Sequence, residues 1–177
     1  GVVFTERFGD RALTMAARQR GARSLGDQQS PFDALATLQG VETLPLRMER
    51  HCENAHAVAE YLEDHPAISW VSYPGLPTHE THELASRYLE GGYGGMVAVG
   101  LEDGYEAAKR LCEETEVAKF LANVGDARTL VVHPASTTHA QLSKAEQRAG
   151  GIAPEMVRLS VGIEDVNDII ADLDGAV

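Results

Sequence analysis

Apolar positions recur along the chain at two spacings, and the spacing changes from one stretch to the next. Between residues 9 and 25, Leu13, Ala16, Ala17 and Leu25 fall on one side, while Arg11, Arg18, Arg20 and Arg23 populate the other, which predicts an amphipathic helix. Gly26 and Asp27 stop it. Ser30-Pro31 is a helix start, an N-cap followed by Pro at the first helical position. A long helix is predicted from there to about Glu63, with Leu35, Leu38, Leu44 and Leu46 in its first part. Pro45 must kink or break it. In the second part Met48, Cys52, Ala55, Ala59 and Leu62 form one stripe that would face a sheet. Arg47, Glu49, Arg50 and Glu53 read as a solvated face, and His65-Pro66 ends the helix.

From residue 68 the pattern shortens. Ile68 to Tyr73 has strand character before the turn at Pro74-Gly75. Met96 to Leu101, the run from Thr129 through Leu130-Val131-Val132, and Met156 to Val161 are apolar and largely β-branched, which predicts buried strands. Helices are predicted over Glu80–Leu89, Gly104–Glu114, about Leu142–Ala149 and about Glu164–Leu173, where Glu164 and Asp165 suit the positive helix N-terminus. Four strands with intervening helices predict an α+β domain, its sheet covered by helices over one face. The joint Gly91-Gly92-Tyr93-Gly94-Gly95 has a phosphate loop's composition only, since no Lys-Ser/Thr follows and a strand comes next.

Composition narrows the partners. With 27 Asp and Glu against 15 Lys and Arg, the net charge of -12 argues against nucleic acid or an anionic membrane. No apolar run approaches a bilayer span and no signal peptide is visible, so a cytoplasmic location is expected. Only Lys109, Lys119 and Lys144 are lysines. Cys52 and Cys112 lie in helical patterns with no CxxC pair, so buried free thiols are expected rather than a zinc site or a disulfide. The chain opens at Gly1-Val2-Val3-Phe4 without an initiator Met, the pattern of a fragment or a processed product.

The candidate chemistry gathers between Leu121 and His139 and around Arg158. A guanidinium inside the apolar run Met156–Val161 is costly unless an anion meets it. That anion is either Glu164 or Asp165 in a structural ion pair, or a ligand. Asn123 sits before Gly125-Asp126, where turn chemistry alone would explain it. Ser136, Thr137 and Thr138 offer hydroxyls on a loop after Pro134; for Ser136 and Thr137 a loop cap beside His139 is the simpler reading. His133 and His139 have no fixed ligand geometry across that loop, and a packing role suits them better. His79-Glu80-Thr81-His82 is too short for a zincin motif.

The runs LANVGDARTLVVHPASTTHAQL and RLSVGIEDVNDIIADLD, with SPFDALATLQGVETLPLRMERHCENAHAVAEYLEDHP before them, resemble the C-terminal part of the Cys/Met-metabolism enzymes that use pyridoxal phosphate (PLP). Within that group they look most like the O-acetylhomoserine sulfhydrylase branch. The resemblance covers essentially the whole chain and implies the last two-fifths or so of such an enzyme. It implies a small C-terminal domain of a fold type I transferase, residues 30–177, preceded by a helical segment, residues 1–29, from the end of the large PLP domain. Phe4 and Phe8 would then be exposed.

The resemblance also implies roles. Arg158 of the RLSxGxE motif would bind the substrate α-carboxylate, with the Asn123 side chain and the Val124 amide assisting, and Thr138 lining the reactive cavity. No catalytic, metal or cofactor-anchoring residue is assigned within the chain. The Ser/Thr-x-Thr-Lys segment that holds PLP as a Schiff base is absent from it, so PLP is expected to be bound mainly elsewhere in the enzyme, and the 177 residues alone would be inactive. The implied reaction is γ-replacement on O-acetylhomoserine by sulfide or a thiol, giving homocysteine or methionine and acetate. A cystathionine γ-synthase- or methionine γ-lyase-like member, or a non-catalytic truncated domain, remains an alternative. The expected partners are a small amino-acid substrate and further copies of the enzyme, a tetramer in the family.

Overall fold

In the computed structural model, residues 2–26 and 28–177 are described, with the side chains of residues 2–4 excepted. The side chain of Phe4 and the helix-stopping role of Asp27 therefore lie outside the described residues. The backbone divides into two compact units between Thr43 and Leu44.

The first unit is helical. α1 (Val2–Phe8) is followed by a 3-10 turn (Gly9–Arg11), α2 (Ala12–Ala16), a π-helical stretch (Ala17–Ala22) and α3 (Arg23–Leu25). Helical structure thus begins seven residues before the predicted start at residue 9. Gly9, at φ 52°, breaks it there without ending it. Gly26 closes α3 in the left-handed conformation, φ 73°. Phe8 is half-buried rather than exposed. α4 (Pro31–Glu42) starts as expected: Ser30 accepts from the Asp33 N–H, and the Asp33 carboxylate reaches back to the Ser30 amide.

The second unit opens with α5 (Leu44–Glu63). The predicted single helix is broken at Thr43, two residues ahead of Pro45, which takes the second position of α5, where an amide hydrogen would have no helical partner. After β1 (Ile68–Ser72) come α6 (His82–Tyr88), β2 (Met96–Leu101), α7 (Gly104–Glu114), β3 (Lys119–Phe120) and β4 (Leu130–Val132). A 3-10 turn (Pro134–Ser136), α8 (Lys144–Ala149), β5 (Met156–Ser160) and α9 (Val166–Ala176) complete the unit.

The sheet has five strands in the order β1-β2-β5-β4-β3. All neighbours are antiparallel except β3 and β4, which are parallel. The fifth strand, β3, is absent from the sequence-based expectation because it is two exposed residues with no apolar alternation. Its Lys119 amide donates to the Thr129 carbonyl at 2.9 Å, which ties the sheet edge to the residue before β4.

Partners in register share a face. Val97, Leu159 and Val131 form one row, Val99 and Val157 the next. These side chains join Ala55, Val58, Ala59 and Leu62 of α5, Ala108 and Leu111 of α7, and Ile169 and Leu173 of α9 in one buried cluster. The α+β architecture with helices over one face is therefore observed. The expected stripe on α5 is buried only from Ala55 onward. Met48 is exposed and Cys52 half-buried, whereas His51 and Asn54, one turn up from Ala55 and Val58, are buried in their place. Cys112 is buried as expected, and burial pushes its thiol up to about 12.

Candidate functional site

The face opposite that cluster carries Arg158. In register, Ser72, Ala98, Arg158 and Val132 run across β1, β2, β5 and β4 as one row. Arg158 is half-buried. Its Nε is one of two buried side-chain polar atoms that find no hydrogen-bond partner among the described residues. Nor does any ion pair reach its guanidinium among the described residues.

The two carboxylates that could have neutralised it are engaged elsewhere. Glu164 accepts from the Thr129 amide at 2.6 Å and from the Thr129 hydroxyl at 2.9 Å. Asp165 caps α9, accepting from the Asn167 amide at 2.9 Å. A buried, unpaired donor on a permanently charged group is a high-energy arrangement in a finished structure, and it is relieved by an anion with two acceptor oxygens.

The missed strand β3 decides where Asn123 goes. Because β3 and β4 are parallel, Phe120 lies beside Val131, and the chain leaves β3 at the end of the sheet where Val132 lies beside Arg158. Asn123 follows three residues later. Thr138 follows Val132 by six residues, on the loop leaving the same end. Asn123, Val124 and Thr138 thus lie on loops that leave the sheet at the end where Val132 pairs with Arg158, and no hydrogen bond joins any two of Arg158, Asn123 and Thr138 among the described residues.

Asn123 and Thr138, unlike Arg158, each make a hydrogen bond close by in the chain. The Asn123 Oδ1 accepts from the Val124 amide at 2.8 Å, and Val124 itself is 66% exposed. The Arg128 guanidinium beside Asp126 holds that carboxyl below the usual carboxylate range, with a smaller contribution from the Asn123 side chain. The Thr138 hydroxyl meets His139 Nδ1 at 2.9 Å.

The histidines and neighbouring hydroxyls brace the loop. His133 is fully buried. Its Nδ1 meets the Ser136 hydroxyl at 2.8 Å, its Nε2 donates to the Pro154 carbonyl at 2.8 Å, and its ring packs edge-on against Tyr105. The Thr137 hydroxyl donates to the His133 carbonyl at 2.7 Å. With both ring nitrogens engaged, His133 has no lone pair free for a metal, and no cluster able to hold a metal ion is found among the described residues.

Sequence reasoning missed a polar network behind β5. Asn54 of α5 donates to the carbonyls of Gly162 and Glu164 at 3.0 and 2.9 Å, and His51 Nδ1 donates to the Val161 carbonyl at 2.6 Å. The signal was present: His51 and Asn54 fall on the same helix face as Ala55 and Val58, so polar groups were due to be buried there.

The lysines do not fit as anchors for PLP. A Schiff-base amine must be able to give up its charge, which desolvation promotes. Lys109 instead pairs with Glu113 at 3.5 Å on the surface of α7, Lys119 donates to the Glu116 carbonyl on the exposed sheet edge, and Lys144 is exposed at the start of α8.

Comparison with known proteins places the chain in a family. The family model for Cys/Met metabolism PLP-dependent enzymes matches residues 1–177. The homocysteine synthase of Schizosaccharomyces pombe is 49% identical over 172 residues, which are 97% of this chain and 40% of that protein. O-acetyl-L-homoserine sulfhydrylase 1 of Thermus thermophilus is 50% identical over 173 residues, 98% of this chain and 41% of that protein. The crystal structure of a candidate O-acetylhomoserine (thiol)-lyase from Campylobacter jejuni, which carries N′-pyridoxyl-lysine-5′-monophosphate at its position 205, superposes with a TM-score of 0.86 at 38% identity. It is covered over 40% of its length by 96% of this chain. The chain spans about 40% of the length of the curated relatives it matches. With the family model matching over its whole length, the chain belongs to the Cys/Met metabolism PLP-dependent enzymes.

Proposed function

We propose that this chain is the substrate-carboxylate-binding part of a PLP-dependent γ-replacement enzyme, which converts O-acetylhomoserine and sulfide or a thiol to homocysteine or methionine and acetate. One observation carries the reading: Arg158 holds a buried, unpartnered Nε while both nearby candidate counter-ions are engaged elsewhere. An amino-acid carboxylate matches the fork of a guanidinium with two parallel hydrogen bonds. The names of the relatives, homocysteine synthase and O-acetyl-L-homoserine sulfhydrylase, support that choice of reaction and substrate.

In this reading residues 30–177 form the carboxylate-binding domain, and residues 1–29 belong to the end of the large PLP domain. The cofactor, which supplies the electron sink for carbanion chemistry, is held by the part of the enzyme beyond this stretch. Arg158 fixes the carboxylate end of the amino acid. Asn123 Nδ2 and the Val124 amide become donors to the same group once the local Asn123–Val124 pair opens. Thr138 lines the cavity beside them. The enzyme works in the cytoplasm as a homo-oligomer. Among the described residues no helix is long and apolar enough to cross a membrane.

Steady-state kinetics of Arg158→Ala in the full-length enzyme test the assignment. Each charge-assisted hydrogen bond contributes about 1.5–3 kcal/mol, so KM for O-acetylhomoserine should rise by about 10- to 150-fold per bond lost. Arg158→Lys should restore only part of it, since an ammonium lacks the fork. Cofactor binding should persist in both variants. Unchanged kinetics in a folded Arg158→Ala enzyme would return Arg158 to a structural role.

A further inference from the structure

The loop between β3 and β4 carries Asn123 and Val124, and most of its residues are exposed. Its exit is different. Thr129 is fully buried, and the Glu164 carboxylate takes both its amide and its hydroxyl, at 2.6 and 2.9 Å. The Thr129 hydroxyl oxygen accepts in turn from the Gly162 amide at 2.9 Å, and the Ile163 amide donates to the Ala127 carbonyl at 2.9 Å. A Cβ at Gly162 would come within 2.2 Å of the Glu164 carboxylate, 2.4 Å of the Thr129 amide nitrogen and 2.5 Å of the Ala127 carbonyl, so the turn closes only around a glycine. From the core side, His51 and Asn54 hold the carbonyls of Val161, Gly162 and Glu164.

Two chain segments therefore meet at one carboxylate. One is the turn leaving β5, two residues after Ser160 and four after Arg158. The other is the end of the loop that presents Asn123 and Val124. Fixing Thr129 fixes where that loop rejoins the sheet.

We propose that Glu164 is a positioning residue for substrate binding. It does not touch the substrate; it sets the Asn123–Val124 loop against the Arg158 guanidinium through Thr129. The inference rests on the carboxylate reading above and adds a residue to it.

The test is a double-mutant cycle in the full-length holoenzyme, with Glu164→Ala, Glu164→Gln, Asn123→Ala and the two double variants. Glu164→Ala should raise KM for O-acetylhomoserine by about fivefold, as expected for a lost hydrogen-bonded contact, with kcat changed by less than about twofold. Glu164→Gln keeps the shape and one acceptor oxygen and should recover at least about half of that loss on a logarithmic scale. In the Asn123→Ala background, Glu164→Ala should cost clearly less than in the wild-type enzyme, about threefold or below, because the loop it positions keeps only the Val124 amide as a donor.

A Glu164→Ala effect that multiplies fully with Asn123→Ala, or an unchanged KM, overturns the inference. If Glu164→Ala fails to fold, Thr129→Val takes its place: it removes the hydroxyl, keeps the amide bond to Glu164, and should show the same dependence on Asn123. Arg158→Ala separates the two levels. An unchanged KM there removes the carboxylate reading itself. A raised KM there, with multiplicative Glu164 and Asn123 effects, leaves that reading standing and removes only the role of Glu164.

Discussion

Arg158 and Asp174 are both charged groups on packed elements, and their partners set them apart. Asp174 accepts a hydrogen bond from the Tyr61 hydroxyl and lies 3.3 Å from His65 Nε2. The Tyr61 hydrogen bond, and His65 after it, hold the Asp174 carboxyl below its ordinary value of 3.8. The same bond raises the Tyr61 hydroxyl above its ordinary 10.0. Both directions describe one interaction between a protonated Tyr and an ionised Asp. Its contribution to stability is full between those ordinary values. It fades as pH falls through the depressed Asp174 pKa, and as pH rises through the elevated Tyr61 pKa.

Tyr61→Phe should therefore lower the melting temperature near neutral pH, with the deficit closing on acidification below the ordinary carboxylate range. A deficit of constant size down to strongly acidic pH would contradict this pairing. Arg158 has no such ion-pair partner among the described residues, which is why its variants are expected to change binding more than stability. Asn123→Ala removes a neutral donor contributing about 0.5–1.5 kcal/mol, so KM for O-acetylhomoserine in the full-length enzyme should rise by about 2- to 12-fold, less than for Arg158→Ala. A larger effect than that of Arg158→Ala would reverse the order of importance assigned here.

Among the elements, α5 does most to join the sheet's buried face to the turn behind Arg158. Leu62 is fully buried between α5 and the sheet, and its truncation to Ala should cost about 2–5 kcal/mol, measurable by denaturant unfolding of the full-length enzyme if the domain unfolds as one step. A cost below about 1 kcal/mol would show that the cluster tolerates a void there.

This helix also shows what the sequence made legible. The capping pair at Ser30, the disruptive Pro45, the strands β1, β2, β4 and β5 and the helix spanning Gly104–Glu114 were readable, because each follows from local chemistry or from a strong period. β3 was not, because two exposed residues have no period to read. Its consequence is large, since the parallel pairing of β3 with β4 makes the chain leave β3, three residues before Asn123, at the sheet end where Val132 pairs with Arg158. The bonds from His51 and Asn54 to the turn after β5 join positions 108 to 110 residues apart in the chain, a distance at which pattern carries no information. Glu164 was expected to favour the start of the last helix; it turns back to Thr129 instead, and Asp165 takes the cap.

For the whole molecule, the exposed large apolar side chains Leu13, Leu25, Phe32, Leu38 and Val41 of the first unit matter most. Apolar surface of that extent favours association. The 177 residues prepared alone should self-associate with rising concentration and bind a hydrophobic dye, as followed by light scattering and fluorescence; a strictly monomeric chain without dye binding would count against it. The proposed role of the chain in the complete enzyme reduces to one contact, between the Arg158 guanidinium and the substrate carboxylate. That contact can be tested from both sides at once, by comparing O-acetylhomoserine with its analogue lacking the carboxylate, in wild-type and Arg158→Ala full-length enzyme. Dissociation constants measured spectroscopically on the holoenzyme give the coupling directly. The carboxylate should strengthen binding to the wild-type enzyme by about tenfold or more and to Arg158→Ala by less than about threefold. An equal preference for the carboxylate in both enzymes would contradict the assignment of Arg158.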